Sequence, residues 1–402
     1  MPESVVARVG AISLALLANV GQLKANPALT WFPVDLTLVV TGVVVGSALW
    51  IRFQHGSTHK SILIPVALMA VFLLGLINSP FDGYATSKVV TLYSVTLACL
   101  VAPFYLLRSE LQQRLFIYSI VAIGCAVATV LFIWPEYSSC VAEDKALCST
   151  AIQFPGSETI GTARMTAAGF VVATLVATGS QGWRKIGLVG AAVLLLSATL
   201  FTGNRASLLA MAFALCVLFF GSPFFRHIRL RAIIVLSSSL VLIVVFQLFN
   251  GTSGERLLRL LTGAVDSSIS TRVNLWEESL RHLQIVPWGI GWGEFPHLSA
   301  KASAVNLYPH NLIIEVLVEA GWLAGVALLA TLVLAAWKLW RSADSLVLVV
   351  MGGLLAFTVV NAMISGDINS NRLMWMMIGF GLMQTRLRQL SFTAKTRPAN
   401  KV

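Results

Sequence analysis

The chain of 402 residues is too apolar and too poor in charge to be a soluble protein. Apolar residues make up 57% of it and charged residues only 11%, whereas soluble domains carry about 25% charged residues. The net charge of +11 belongs to no soluble basic domain, so composition excludes a nucleic-acid-binding protein. We therefore expect one transmembrane domain over residues 1–402, with membrane lipid as its surroundings.

Apolar runs of about 20 residues, the length that spans a hydrocarbon core, recur along the whole chain. They lie roughly at 5–23, 34–51, 61–78, 88–107, 114–134, 161–178, 185–202, 206–221, 231–249, 312–337, 344–364 and 372–385. These runs predict an all-α polytopic membrane protein with about twelve transmembrane helices. Residues 250–311 are polar and predict a large loop between helices 9 and 10. We interpret the first run as a retained helix, because Lys24 lies where a signal peptide would be cleaved.

The distribution of basic residues predicts the orientation of the chain. With both termini in the cytoplasm, the inner loops hold 17 of the 28 basic residues but only 3 of the 17 acidic ones. This bias is typical of cytoplasmic loops and places the loop 250–311 on the outer side. Cys140 and Cys148 share another outer loop, where a disulfide is permitted; whether they form one is left open.

The large loop ends in a histidine, directly before the tenth apolar run. Asn311, Glu315 and Glu319 follow His310 at a spacing of four residues, which places them on one helix face. In a continuous helix over 312–337, Glu319 would lie roughly 12 Å from the start. A carboxylate at that depth should face a polar interior rather than lipid. His310 is a candidate base at the edge of that interior, and a structural histidine is the alternative.

Several basic residues lie where an apolar run meets the outer interface. Arg205 occupies the tight turn between runs 7 and 8, and Arg272 lies in an amphipathic segment whose face we assign to Val273, Trp276 and Leu280. The guanidinium group suits phosphate oxygens, although such residues also serve as interface anchors. Further basic residues start other runs at the same level: Lys88, Arg164 and Arg372.

Two further outer segments carry weaker signals. Asp367, in the last outer loop, could orient a histidine or pair with an arginine. The cluster of Gly289, Gly291 and Gly293 lacks the preceding strand and the lysine of a phosphate-binding loop, so a tight turn is the better interpretation. The sequence shows no metal-ligand spacing and no nucleotide motif, and we expect neither a metal nor a cofactor.

Two short motifs carry a resemblance to a known family. Arg205-Ala206-Ser207-Leu208-Leu209 matches an Arg-x3-Leu motif, and His310-Asn311, followed by Glu319 and Gly321, matches a His-Asn/Ser…Gly motif. With the twelve-span layout and the loop that holds Arg272, the chain resembles the O-antigen ligase family, within the wider group of ligases, O-antigen polymerases and O-oligosaccharyltransferases.

This resemblance implies a membrane-embedded glycosyltransferase of the C superfamily, working at the periplasmic face of the bacterial inner membrane. It would transfer O-antigen polysaccharide from undecaprenyl pyrophosphate to lipid A-core oligosaccharide, by a metal-independent inverting mechanism. His310 would be the base, and Arg205 and Arg272 would bind the donor pyrophosphate. Further candidates are chosen for their position near the outer interface. Two are candidate donor ligands, Lys88 and Arg164, and five are candidate supporting residues, Asn311, Glu319, Asp367, Arg372 and Trp276.

Three alternatives remain. An O-antigen polymerase uses the same lipid-linked donor, and residue chemistry does not separate it from a ligase. A protein O-oligosaccharyltransferase is generally longer, and only about 16 residues follow the last apolar run here. A transporter or flippase would place charges near the middle of several spans, whereas the charges in this sequence gather at one face.

Overall fold

The computed structural model describes residues 4–29, 31–55, 59–137, 152–221, 267–298 and 308–384. Two strands of two residues, β1 (Glu136–Tyr137) and β2 (Ile152–Gln153), pair in antiparallel fashion. The helices are α1 Val5–Leu23, α2 Leu36–His55, α3 Lys60–Leu76, α4 Gly83–Leu106, α5 Glu110–Ile133, α6 Thr159–Thr178, α7 Gly182–Phe201, α8 Arg205–Gly221, α9 Ser267–Ile285, α10 Phe295–Leu298, α11 Leu312–Ala320, α12 Trp322–Arg341, α13 Leu346–Ile364 and α14 Arg372–Met383.

The described helices confirm the expected class, an all-α polytopic membrane protein. Eight of them are long and apolar enough to cross a membrane, and α3, α8 and α14 add three shorter apolar helices. The ninth predicted run, 231–249, lies outside the described residues, as do Cys140 and Cys148. The total of twelve spans and the bounds of the loop 250–311 therefore stay predictions.

Helix α6 forms the centre of the bundle and α7 lies at its edge. Of the apolar window of α6, 83% is buried inside the protein, compared with 17% for α7. Small residues on α6 allow close approach: a Cβ at Gly169 would lie 3.2 Å from the Leu195 side chain of α7. Close packing of small residues is the usual way for helices to associate in lipid, and it leaves the outer side chains of α7 for the hydrocarbon.

The tenth apolar run is not one helix, and the prediction of a continuous span over 312–337 is wrong. The chain breaks at Gly321, which has φ +88°, and a Cβ there would collide with the Trp288 backbone. The last carbonyls of α11 accept hydrogen bonds from the backbone N–H groups of Ile290 and Gly291, at 2.9 Å each. Glu319 therefore lies at the end of a short buried helix, not two turns down a membrane span.

The segment before α11 contains the predicted amphipathic helix, with a different buried face. Helix α9 buries Leu275 and Ser279, whereas Val273 and Leu280 are exposed. Leu275 packs in a small apolar cluster with Ile290, Phe295 and Val318. Val273 and Leu280 therefore form an exposed apolar face, and the face that meets α11 was not predicted because the sequence does not show which side of α9 contacts α11.

Candidate active site

His310 stands in a strained turn at the head of α11. Its φ is +58°, in the left-handed region that costs most residues about 1–3 kcal/mol. Asn311 ends the turn as a helix cap, because its Oδ1 accepts hydrogen bonds from the Ile313 and Ile314 N–H groups at 3.1 Å each. On the other side, the Trp276 Nε1 donates to the Pro309 carbonyl at 2.8 Å. The histidine is thus fixed from both flanks.

The surroundings of His310 keep its imidazole neutral. Burial, aided by the positive charges of Arg272 and Arg164, lowers the pKa of His310 to about 4, while Asp367 acts in the opposite direction. The Nδ1 atom is buried and has no hydrogen-bond partner among the described residues. A neutral imidazole with an unpaired nitrogen can accept a proton.

Tyr308 is a neighbour that the sequence did not single out. Its ring centroid lies 4.5 Å from that of His310, with the planes inclined by 54°. Burial raises the pKa of Tyr308, so its hydroxyl stays protonated. Tyr308 lies two residues before the histidine, and a single aromatic residue at that position did not indicate a role in the site.

Arg164, near the start of α6, is held by side chains from α13 and from the loop that follows it. Its Nε donates to Asn361 Oδ1 at 2.7 Å, and its NH1 lies 3.5 Å from Ser370 Oγ. The NH2 atom is buried without a hydrogen-bond partner among the described residues. A cavity of about 50 Å³ adjoins this group and is lined also by Asn19. That volume suits one or two waters, so a phosphate could meet Arg164 only at its exposed side.

Asn361 connects Arg164 to the helix that begins with Arg205. Its Nδ2 donates to Ser207 Oγ at 3.1 Å while its Oδ1 accepts from Arg164. Asn361 is buried and lies in an apolar run, where no motif or charge pattern selected it. Arg205 is partly buried at the first position of α8.

Asp367 lies in the turn between α13 and α14. Its Oδ1 accepts from the Ser370 N–H at 2.8 Å, and its charge acts on both His310 and Arg164. Asn369 of the same turn donates to the Lys88 carbonyl at 2.9 Å. The turn therefore joins the histidine, the arginine and α4, although Asp367 makes no hydrogen bond to the described nitrogen Nδ1 of His310.

Lys88 is buried rather than placed at an interface. Its Nζ lies 2.7 Å from Glu315 Oε1 and 2.7 Å from Glu319 Oε2, and the three side chains are 1%, 0% and 0% exposed. The sequence predicted that Glu319 faces a polar interior, and Lys88 is the polar group that contacts both Glu315 and Glu319. The prediction that Lys88 contacts the donor stays a prediction, but the lysine is already surrounded by two carboxylates.

The glycine cluster is a structural strap across the end of α11. Gly289, Gly291 and Gly293 all have positive φ, and a Cβ at Gly291 would collide with the Asn78 backbone. The strap inserts Trp292, whose Nε1 donates to the Phe72 carbonyl at 2.9 Å. The N–H of Gly293 donates to Glu319 Oε2 at 3.2 Å. These contacts agree with the tight turn that the sequence favoured over a phosphate cradle.

Arg372 contacts helix α1. Its NH1 donates to the Leu17 carbonyl of α1 at 3.4 Å, and its guanidinium packs 3.4 Å from the Cβ position of Gly21. Its contacts are therefore with α1, and the supporting role predicted for it has no counterpart in them.

Comparison with known proteins agrees with the motifs. A family model described as O-Antigen ligase matches residues 190–329, and no curated protein matches the chain. The matched range includes Arg205, Arg272 and His310, whereas Lys88, Arg164 and Asp367 lie outside it. The resemblance first indicated by two short motifs is thus supported by a match to the O-antigen ligase family model over residues 190–329.

Proposed function

We propose that the protein is an O-antigen ligase that transfers glycan from undecaprenyl pyrophosphate to a sugar hydroxyl of lipid A-core oligosaccharide. The observation that carries the proposal is the neutral His310, with an unpaired buried nitrogen, inside the field of two arginines. Such a base can accept a proton from an acidic group, and the positive charge around it favours an anionic ligand. A hydroxyl acceptor and a pyrophosphate donor supply both.

In the proposed reaction, the acceptor oxygen forms a bond to the anomeric carbon as the bond from that carbon to the pyrophosphate oxygen breaks. The hydroxyl proton passes to His310, and the electron pair leaves with the lipid pyrophosphate. Negative charge grows on the leaving oxygen, where fixed cations are most effective. We assign this role to Arg272 and Arg205, with Arg164 contributing through its charge and its exposed side.

Attack from the face opposite the leaving group inverts the anomeric centre in one displacement. The strained His310 turn suits this task, because Asn311 and Trp276 hold the base in place before substrate arrives. Preorganisation of this kind removes reorganisation from the reaction step. Working at the periplasmic side, the enzyme would draw its driving force from the activated lipid donor.

The test is transfer by purified protein in detergent, with undecaprenyl pyrophosphate-linked glycan and lipid A-core as substrates. We expect His310→Ala to reduce kcat by about 10²–10⁴-fold, the usual contribution of a general base. His297→Ala is the matched control, since His297 is half-exposed and contacts Asp82 instead. Transfer by His310→Ala at the wild-type rate would contradict the base assignment. A loss of transfer on adding chelator would contradict the metal-independent mechanism.

The polymerase alternative differs in its acceptor. Cells that lack a ligase should accumulate full-length lipid-linked polysaccharide, whereas cells that lack a polymerase should accumulate single repeats. In the purified assay, a polymerase would extend a second lipid-linked glycan and leave lipid A-core unmodified. Measuring both products with the same donor separates the two activities.

A further inference from the structure

The buried cluster of Lys88, Glu315 and Glu319, here called the lysine triad, joins α4 to α11. Both carboxylates approach the same ammonium at 2.7 Å, and they are one helical turn apart on α11. Glu319 is bound a second time by the N–H of Gly293 from the glycine strap. The triad is thus the point where α4, α11 and the strap meet.

The triad leaves little of Lys88 for a substrate. Its ammonium is enclosed by the two carboxylates and by the rings of Tyr84 and Trp292, each centred 5.8 Å from Nζ. The carbonyl of Lys88 is taken up by Asn369. A phosphate would have to displace two carboxylates from a side chain that is 1% exposed.

Helix α11 depends on such contacts, because it has only nine residues and helices of that length are unstable alone. Its first turn is capped by Asn311, and its last carbonyls are bound by the strap. Between these ends, the two glutamates tie the helix to α4. Moving α11 would carry Asn311 and His310 with it.

We propose that Lys88 is a positioning residue: by binding Glu315 and Glu319, it fixes α11 and so holds His310 at the reacting hydroxyl. This inference rests on the proposed function of His310, and it replaces direct contact between Lys88 and the donor. The two roles predict different kinetics. Loss of a ligand raises KM for the donor, whereas misplacement of the base by about 1 Å lowers kcat, by about 100-fold.

The experiment compares single and combined substitutions in the full-length protein. Lys88→Met leaves two buried carboxylates without a cation, so we expect a lower melting temperature and kcat lowered about 100-fold. Combining Lys88→Met with Glu315→Gln and Glu319→Gln removes every charge of the triad at similar volume. We expect this triple variant to regain the melting temperature, because neutral replacement of a buried ion group is often tolerated. Lys338→Met, in α12, is the control for loss of another buried lysine.

The kinetics of the triple variant decide the role. Recovery of kcat to within about tenfold of wild type, with an unchanged donor KM, supports positioning. A triple variant that melts like wild type but has a donor KM raised about 100-fold would overturn it in favour of a direct ligand. Failure of the wild type to transfer glycan would refute the proposed function instead. The melting temperatures would still show whether Lys88 holds α11, because a triple variant no more stable than Lys88→Met excludes the tie.

Discussion

The lysine triad and the histidine centre are neighbouring polar clusters, and they differ in whether their charges are paired. In the triad, the ammonium lies 2.7 Å from one oxygen of each carboxylate and all three side chains are almost fully enclosed. The other two oxygens, Glu315 Oε2 and Glu319 Oε1, are buried without a hydrogen-bond partner among the described residues. In the histidine centre, His310 Nδ1 and Arg164 NH2 are buried without hydrogen-bond partners among the described residues. A buried charge is costly unless an opposite charge pairs with it. The triad has such pairing, so we interpret it as a structural joint. The buried nitrogens of His310 and Arg164 have no hydrogen-bond partner within the described residues, so we interpret the histidine centre as a site prepared for a ligand.

Among the changes that test this comparison, removing a cation of the histidine centre should have the largest effect. We expect Arg272→Ala to lower kcat/KM for the donor by about 100-fold, which corresponds to roughly 2.7 kcal/mol of lost charge stabilisation. Arg272→Lys should recover only part of it, because lysine lacks the planar fork. The measurement is donor titration at saturating acceptor.

Arg281→Ala is the matched control, since Arg281 lies on the same helix, is 76% exposed and contacts Glu277. An Arg272→Ala variant with wild-type donor kinetics would remove Arg272 from the site. Arg164 would then be the arginine left to act on His310 in the histidine centre.

The next effect concerns the glycine strap that binds the lysine triad. We expect Gly291→Ala to destabilise the protein by at least about 1–3 kcal/mol, because Gly291 has φ +105° and a Cβ would meet the Asn78 backbone. Thermal melting in detergent measures the change. Gly190→Ala is the control, as no atom lies within 4 Å of its Cβ position. Equal melting of both variants would show that the strap yields and does not hold the end of α11.

A smaller effect should follow from replacing Asn361, which connects Arg164 on α6 to Ser207 on α8. Asn361→Leu removes the acceptor of Arg164 and the donor to Ser207, and leaving such groups unpaired costs about 1–3 kcal/mol. We expect donor KM to rise about tenfold for each 1.4 kcal/mol lost at the site. Thr358→Val on the same helix is the control, because the Thr358 hydroxyl donates to backbone carbonyls of its own helix. A fall in melting temperature with unchanged donor KM would make Asn361 structural only.

The sequence predicted the spans better than it predicted the contacts between them. Apolar periodicity is local, so α1, α5 and α13 could be placed from run length and polar flanks. The break at Gly321 depends on backbone partners about 30 residues earlier, at Ile290 and Gly291, which no local pattern contains. For the same reason, Lys88 looked like an interface cation until its partners on α11 were known.

Asn361 and Arg372 illustrate the same limit in opposite directions. Asn361 lies in an apolar run and reads as an ordinary residue, yet it binds Arg164 and Ser207. Arg372 starts a run at the expected level, yet it contacts the Leu17 carbonyl. In both cases the contacts of the side chain were set by the packing of helices distant in sequence.

The pH dependence of activity is the smallest of the expected effects near neutral pH. It tests the histidine centre directly. His310 must be unprotonated to act as base, and its pKa in the free protein is lowered to about 4 by burial, Arg272 and Arg164. Activity therefore falls only as pH drops through that value. Since kcat/KM reports the free enzyme, its profile should be flat from pH 8 to about 5.5 and be halved near pH 4. A bound pyrophosphate offsets the arginine charges and favours the imidazolium, so the profile of kcat should fall at a higher pH than that of kcat/KM. Identical inflections in the two pH profiles would mean that no anion binds beside His310. The unpaired nitrogens of the histidine centre would then not indicate a pyrophosphate site.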